Sequence, residues 1–540
     1  MSKTVREVTF QLLRELGLTT VFGNPGSTEE TFLKDFPEDF TYIQTLAEAA
    51  AVGAADGFAQ ANRVPAIVNV HTSAGLSNAM SNILTAAMNH TPLIITAGNQ
   101  TREMLLMEPW LTNIEPTMLP KPWVKWSYEP ARAEDVPAAF MRALAIATQP
   151  PAGPVFLSIP LDDWDKLAGD ANPVVRTVSH RIAPDPERLA EFGDILSTAK
   201  NPVLIYGAAI ARGQGWDEAI ALAEKLNAPV WAAPASERTP FPEDHPLYAG
   251  GLPFAMGPLS DKLEGHDVAI VIGAPVFRYY PYVPGNYVPK GMRLLHVTDD
   301  PSEAGKAPVG ESMLGDPVLT LQGLTEQVAA RSLAPAVSTQ SHNMAPHAVA
   351  PAGNHEQMSA LELFEILRSS APANTVLVEE SPSNLAELHT AWPVTLPDSF
   401  FTFASGSLGW NLPAAVGIAL AEKTSGRNRP VLAVIGDGSL QYSIQALWTA
   451  AQQQLPLLVV VPCNAEYAIL KSFAVVEDTP GVPGLDIPGL DIVALGNGYG
   501  CHGVSASTPE DIAREVEAAF TRNGPTVLAV PVAPTIPPLL

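Results

Sequence analysis

Short apolar runs alternate with helical stretches along this chain. Thr4 to Leu16 has the spacing of an amphipathic helix, TTVFG (19–23) reads as a strand ending in a glycine turn, and Leu46 to Gln60 reads as an alanine-rich helix. The run PAIVNVH (65–71) leads through Thr72–Ser73–Ala74–Gly75 into a helical stretch reaching Met88, and PLIITAG (92–98) and GPVFLSIP (153–160) are further strands. Apolar strands of five to seven residues separated by helices predict a parallel sheet covered on both faces. Ligands of such sheets gather at the C-terminal strand ends.

The pattern then restarts twice. NPVLIYGA (201–208), APVWAAP (228–234), DVAIVIGAP (267–275) and RLLHVTDD (293–300) form a second block, and TVLVEE (375–380), PVLAVIGDG (430–438), PLLVVVP (456–462) and TVLAVPV (526–532) a third. Between them Ser332 to His355 is rich in Pro, Ala, Ser and Asn and follows neither period, so it reads as a linker, with His342, His347 and His355 as loop residues. The expected organisation is three α/β domains, 1–180, 181–331 and 356–540, each a parallel sheet covered by helices, with 332–355 as linker. GAAIARG (207–213) lacks the spacing of a dinucleotide fingerprint, so the central block reads as a cofactor-free spacer.

Composition narrows the function. Of 540 residues, 46% are apolar and 16% charged, which is enough for large cores and suggests buried subunit surface. Lys+Arg 31 against Asp+Glu 56 leaves −25, a field that disfavours nucleic acid and anionic membrane as partners. Cys463 and Cys501 are too few for a disulfide framework. With no secretory h-region at the start and no run long enough to span a bilayer, a cytoplasmic enzyme or assembly subunit is expected.

Chemistry concentrates at strand ends. Gly436–Asp437–Gly438–Ser439 follows a buried strand, and Asn464 stands 27 residues after Asp437, at the end of the next strand. Glycines let main-chain amides approach a phosphate. The Asp437 carboxylate, the Asn464 amide oxygen and a nearby carbonyl, that of Glu466, would make an oxygen-only set suited to Mg²⁺ beside a diphosphate. The other reading is two unrelated turns, with Asp437 or Ser439 capping a helix. A helix from Tyr442 to Gln453 is expected between the two strands. In the first block Glu48 lies in an apolar helix, where a carboxylate is expensive unless paired or used for proton transfer; the alternative is an exposed stripe. His71 ends a strand before a glycine turn. Ser27, in Gly23–Asn24–Pro25–Gly26–Ser27, is either catalytic or a helix cap with Glu30 as its capping-box partner.

GDG followed by Asn464, with an upstream helical glutamate and a histidine before a glycine turn, resembles the thiamine-diphosphate-dependent decarboxylase and carboligase superfamily. The strings GNPGSTEE, FLKDFPEDF, HTSAG, VKWSYEPA, DDWDK, EGHDVAIVIGAPVFRY, IGDGS, ALWTAAQ and VPGLDIPGLD resemble its bacterial benzoylformate decarboxylase branch, over essentially the whole chain. The resemblance implies the three-domain thiamine-diphosphate enzyme fold, with thiamine diphosphate and Mg²⁺ (or Ca²⁺ in its place) bound by Gly436, Asp437, Gly438, Ser439, Asn464 and the Glu466 carbonyl. It implies that Glu48 engages the aminopyrimidine ring, that Leu408 props the cofactor in its bent form and that the Gly406 carbonyl accepts from its exocyclic amine. Ser27 would bind the substrate carboxylate and His71 protonate intermediates. Leu111, Pro382, Phe403, Ile469, Leu470 and Phe473 would line the substrate pocket. The implied reaction is decarboxylation of an aromatic 2-oxo acid to aldehyde and CO₂, in a homotetramer built as a dimer of dimers with active sites between subunits.

The chain departs from that pattern at several points. Tyr280 stands where the branch has a second active-site histidine, and tyrosine, with a pKa near 10 against about 6.5, is a poor proton shuttle near neutrality. Cys463 and Glu466 alter the metal segment, the latter adding a charge. Phe403 and Ile469 are larger than their counterparts, and Pro382 and Asn384 replace threonines, reshaping the pocket. These changes favour an alternative: acyloin carboligation with an aldehyde substrate, or a different 2-oxo acid. His389 is either a further proton donor or an ordinary helix-end residue.

Overall fold

The computed structural model describes residues 3–170, 173–331 and 357–539; the linker 332–355, with its three histidines, lies outside the described residues. The chain forms three six-stranded sheets, and every strand pairing within them is parallel.

The first sheet contains β1 (Thr20–Gly23), β2 (Thr41–Gln44), β3 (Ala66–Val70), β4 (Leu93–Asn99), β5 (Ser127–Tyr128) and β6 (Val155–Pro160) in the order β2-β1-β3-β4-β6-β5. The second holds β7 (Pro202–Tyr206), β8 (Val230–Ala232), β9 (Tyr248–Gly251), β10 (Val268–Ile272), β11 (Arg293–Thr298) and β12 (Glu311–Leu314), ordered β12-β11-β10-β7-β8-β9. The third holds β13 (Val376–Glu380), β14 (Phe400–Phe401), β15 (Val431–Ile435), β16 (Leu457–Cys463), β17 (His502–Ser505) and β18 (Thr526–Pro531), ordered β14-β13-β15-β16-β18-β17. The outer two sheets therefore share one winding order, and the central sheet has another. Among the described residues no helix is long and apolar enough to cross a membrane.

The inner four strands of each sheet coincide with the apolar runs of the sequence. The two edge strands of each sheet carry no such run. They span two to four residues and most are half exposed, so neither length nor alternation marks them.

The first and third domains share one core. The Glu48–Asn62 and Asn411–Thr424 helices are buried along most of their length and pack on each other. Their backbones cross closely: a Cβ at Gly57 would collide with the Ala414 carbonyl, and one at Gly417 with that of Ala54. Asp398, just before β14, joins all three domains. Its carboxylate accepts from Arg63 of the first domain at 2.6 and 2.7 Å and from Arg238 of the central one.

Candidate active site

Two groups of side chains form at the C-terminal ends of the outer sheets. In the first domain, Glu48 is the opening residue of its helix and not an interior one. Helix N-terminal amides favour negative charge there, which lowers the cost of its burial. The carboxylate accepts from Asn24 Nδ2 at 3.1 Å and Asn78 Nδ2 at 3.2 Å, so the exposed-stripe reading falls. Asn24 comes from the loop after β1, and Asn78 from the Thr72–Met88 helix.

His71 follows β3, and its Nδ1 lies 2.7 Å from Glu29 Oε2 and 3.3 Å from Thr28 Oγ1. A carboxylate can only accept, so Nδ1 carries the hydrogen and Nε2 is left as the free ring nitrogen. Glu29 is fully buried and also accepts from the amides of Gly98 (2.8 Å) and Gly26 (3.1 Å) and from the Thr28 hydroxyl. Sequence reasoning passed over Glu29. Its only signal was a pair of adjacent glutamates, and the capping-box partner chosen was Glu30. The structure corrects that choice: the short Glu30–Leu33 helix has Glu29 at its cap position and no side-chain cap, while Ser27 is exposed. Leu111 sits in the 100–113 segment, which docks beside His71 through Ser73 Oγ donating to the Thr112 carbonyl at 3.4 Å.

The second group belongs to the third domain. Asp437 opens the one-turn helix Asp437–Leu440 after β15. Gly436 holds the cap position without a side-chain cap, so neither Asp437 nor Ser439 caps the turn. The buried Asp437 carboxylate accepts from the Gly438 amide and, across to the end of β16, from the Ala465 amide, both at 2.8 Å. Burial raises its pKa above the ordinary value, against the pull of these amides. Asn464 Oδ1 accepts from the Glu466 amide at 3.2 Å, and this tightens the same bend. The Glu466 side chain is ion-paired with Lys471, which also reaches Asp486 at 2.7 Å, so the extra charge is compensated. The expected Tyr442–Gln453 helix is shorter, Ala446–Gln452, because the residues after Leu440 turn before it starts.

Around this bend lie the remaining residues. Gly406, at φ 71°, and Leu408 occupy the loop after β14, with Phe403 half-buried at its start. Pro382 lies in the turn after β13, where Ser383 Oγ accepts from the Ile469 amide at 3.0 Å and seats the Ala468–Val476 helix carrying Ile469, Leu470 and Phe473. Tyr280, 67% exposed, reaches this helix from the central domain, its ring centroid 5.0 Å from that of Phe473. His389 stands apart, paired with Glu243 of the central domain at 3.0 Å. The hydrogen bonds of Glu48 and His71 stay within the first domain, and those of the Asp437 and Asn464 side chains within the third.

A separate small cleft at the strand ends of the central sheet is lined by His90, Arg212, Arg278 and Asp299. Both guanidinium groups are engaged within the chain, Arg212 with Glu237 and Arg278 with the Ala235 carbonyl.

Three family models match in succession: the thiamine pyrophosphate enzyme N-terminal TPP binding domain over residues 3–115, the central domain over 189–324, and the C-terminal TPP binding domain over 384–530. The chain is 44% identical over 533 residues to benzoylformate decarboxylase of Pseudomonas aeruginosa, covering 98% of this chain and 99% of that one. Among solved structures, benzoylformate decarboxylase of Polynucleobacter necessarius matches with a TM-score of 0.95 at 53% identity, covering 99% of this chain and 100% of that one. The 4-hydroxybenzoylformate decarboxylase of Rhodococcus jostii RHA1 matches at 0.93 and 40%, over 98% and 99%. With all three domains present in order and all three relatives matched end to end, the chain belongs to the thiamine pyrophosphate enzymes and is closely related to bacterial benzoylformate decarboxylase.

Proposed function

We propose that the protein decarboxylates an aromatic 2-oxo acid, benzoylformate or a near analogue, to the aldehyde and CO₂, with thiamine diphosphate held through Mg²⁺. The observation that carries this reading is the Glu29–His71 pair, which presents a free imidazole Nε2 in the same domain as the exposed Ser27 hydroxyl and the buried Glu48 carboxylate.

The residues fit the cofactor. The Asp437–Ala465 bond joins the carboxylate to the bend that carries Asn464 and Glu466, and a Cβ at Gly436 or Gly406 would meet no atom closer than 3.7 Å, so the backbone there is open to a close ligand. Among the described residues no three His, Cys, Asp or Glu side chains form a metal site. A cation here would therefore rest on Asp437, Asn464, a main-chain oxygen and the diphosphate itself, the mixed oxygen set that Mg²⁺ accepts. When bound, thiamine diphosphate supplies the carbon that adds to the keto group and the ring that accepts the electron pair as CO₂ leaves.

The chain's own groups do the rest. Glu48, oriented by Asn24 and Asn78, holds a proton at its carboxylate for the pyrimidine ring. Ser27 meets the substrate carboxylate, and His71 moves a proton at Nε2. Leu408 and Phe473, with Leu111, Phe403, Pro382, Ile469 and Leu470, keep water from the reacting carbon. The N- and C-terminal groups are bonded separately within the chain, and the segment beside Leu111 exposes Leu106 (96%) and Trp110 (94%). Both facts support a site closed between two copies of the chain, in a dimer or tetramer.

Tyr280 favours a second reading, acyloin carboligation, because it replaces a proton-transfer group with a poor one at the pocket rim. The test is a panel of 2-oxo acids with thiamine diphosphate and Mg²⁺, with and without added aldehyde, measuring CO₂ and carbonyl products. Benzaldehyde and CO₂ in equal amounts support decarboxylation; carboligation without CO₂ release overturns it. Glu48→Gln should bind the cofactor and lose nearly all turnover; normal turnover would exclude the role given to Glu48.

A further inference from the structure

The strand β13 ends in two adjacent buried glutamates, Glu379 and Glu380, in the middle of the third sheet. Carboxylates so placed are costly unless every oxygen is engaged. Glu379 is accounted for locally: it accepts from the Ser381 amide and, at 2.8 Å, from the Thr402 hydroxyl. Glu380 does something different. Its Oε1 accepts from the Gly409 amide at 2.7 Å, and its Oε2 from the amides of Trp410 (3.0 Å) and Asn411 (2.7 Å).

These are amides at the start of the Asn411–Thr424 helix, where main-chain donors lack a partner four residues back. The main chain of Glu380 makes a fourth bond, its carbonyl accepting from the Gly436 amide at 3.1 Å. One residue therefore grips the loop that carries Gly406 and Leu408 with its side chain, and the turn that presents Asp437 with its backbone. At Gly409, φ 102°, the loop passes so close to the chain that a Cβ there would meet Tyr442 Cβ at 2.8 Å. Burial, helped by the neighbouring Glu379 charge, outweighs the pull of the three amides and leaves the Glu380 carboxyl pushed up to about 8.

We infer that Glu380 is a positioning residue for the cofactor: its three amide bonds set the height of Leu408 and of the Gly406 carbonyl above the Gly436–Asp437 turn. The inference rests on the assignment of that loop and turn to thiamine diphosphate. Replacing Glu380 with glutamine keeps size and shape but turns one acceptor oxygen into a donor facing an amide, so part of the grip is lost.

The test compares the wild type, Glu380→Gln and a control, Glu422→Gln. Glu422 is also buried, at the far end of the same helix, paired with Arg427 and Arg429 and remote from the loop. Binding of thiamine diphosphate with Mg²⁺ to the apoprotein is followed by tryptophan fluorescence, and kcat and KM are measured at saturating cofactor. Glu380→Gln should bind at least tenfold more weakly and lose kcat with KM for the 2-oxo acid little changed, while Glu422→Gln loses thermal stability and keeps cofactor affinity. Wild-type affinity and kcat in Glu380→Gln would overturn the inference.

Should that variant not fold, hydrogen exchange of the wild-type apoprotein decides. The amides of Gly409 to Asn411 should be protected like those of the helix interior, and exchange at loop rates would overturn the inference. A wild type that binds no thiamine diphosphate overturns the cofactor assignment itself, a failure visible before any variant is made.

Discussion

The indole nitrogen of Trp410 donates to Asp56 at 2.7 Å, across the seam between the first and third domains. Asp56 is fully buried and also accepts from Thr91 Oγ1 (2.5 Å), Gln60 Nε2 (2.8 Å) and Asn89 Nδ2 (3.0 Å). Burial raises its carboxyl pKa, and the four donors oppose that rise. Asp56→Asn would aim a new donor at groups that already donate. It should lower stability by about 3 kcal/mol, read as a fall in the urea midpoint.

Glu29 acts on His71 by holding Nδ1. Glu29→Gln keeps one acceptor oxygen, and with it turned to His71 and Gly26 that nitrogen meets a weaker acceptor while the bond from the Gly98 amide is lost. The expected result is a kcat reduced about 10²-fold with a displaced pH–rate profile and unchanged cofactor affinity. A profile identical to wild type would show that Glu29 serves the loop alone.

Tyr280 is exposed and touches Phe473, so a change there is tolerated by the fold. Tyr280→His places a group that titrates near neutrality at the pocket rim. The ratio of aldehyde released to acyloin formed, measured with excess aldehyde present, should rise severalfold. An unchanged ratio would remove Tyr280 from proton transfer.

Asp398 predicts a pH response. Burial alone would raise its pKa, but Arg238 and Arg63 outweigh burial and hold it below the ordinary 3.8. A carboxyl depressed in the folded state stabilises above its unfolded pKa and loses that contribution as pH falls through the folded value. The difference in melting temperature between wild type and Asp398→Asn should therefore be full above about pH 5 and shrink on acidification below the ordinary carboxyl pKa.

Fold and site were legible to different depths. Strands such as Val431–Ile435, covered on both faces, announce themselves as continuous apolar runs, whereas Thr41–Gln44 or His502–Ser505 hold one partner each and mix polar with apolar residues. Asp437 and Asn464 were visible because glycines and a strand end mark their positions. Glu29, Asn78 and Glu380 were not, because each draws its meaning from partners distant in sequence: Glu29 from Gly98, Asn78 from Glu48, Glu380 from Gly409. Glu48 was found but placed inside its helix, since the start of that helix lacks a capping side chain.

The core shared by the Glu48–Asn62 and Asn411–Thr424 helices has a consequence for synthesis. About 350 residues of chain separate the two. At ribosomal rates the first helix, apolar around most of its circumference, waits tens of seconds for the surface that covers it. During that interval the nascent first domain leaves a sticky face uncovered, so chaperone capture of the growing chain should end only once residues beyond Thr424 have emerged.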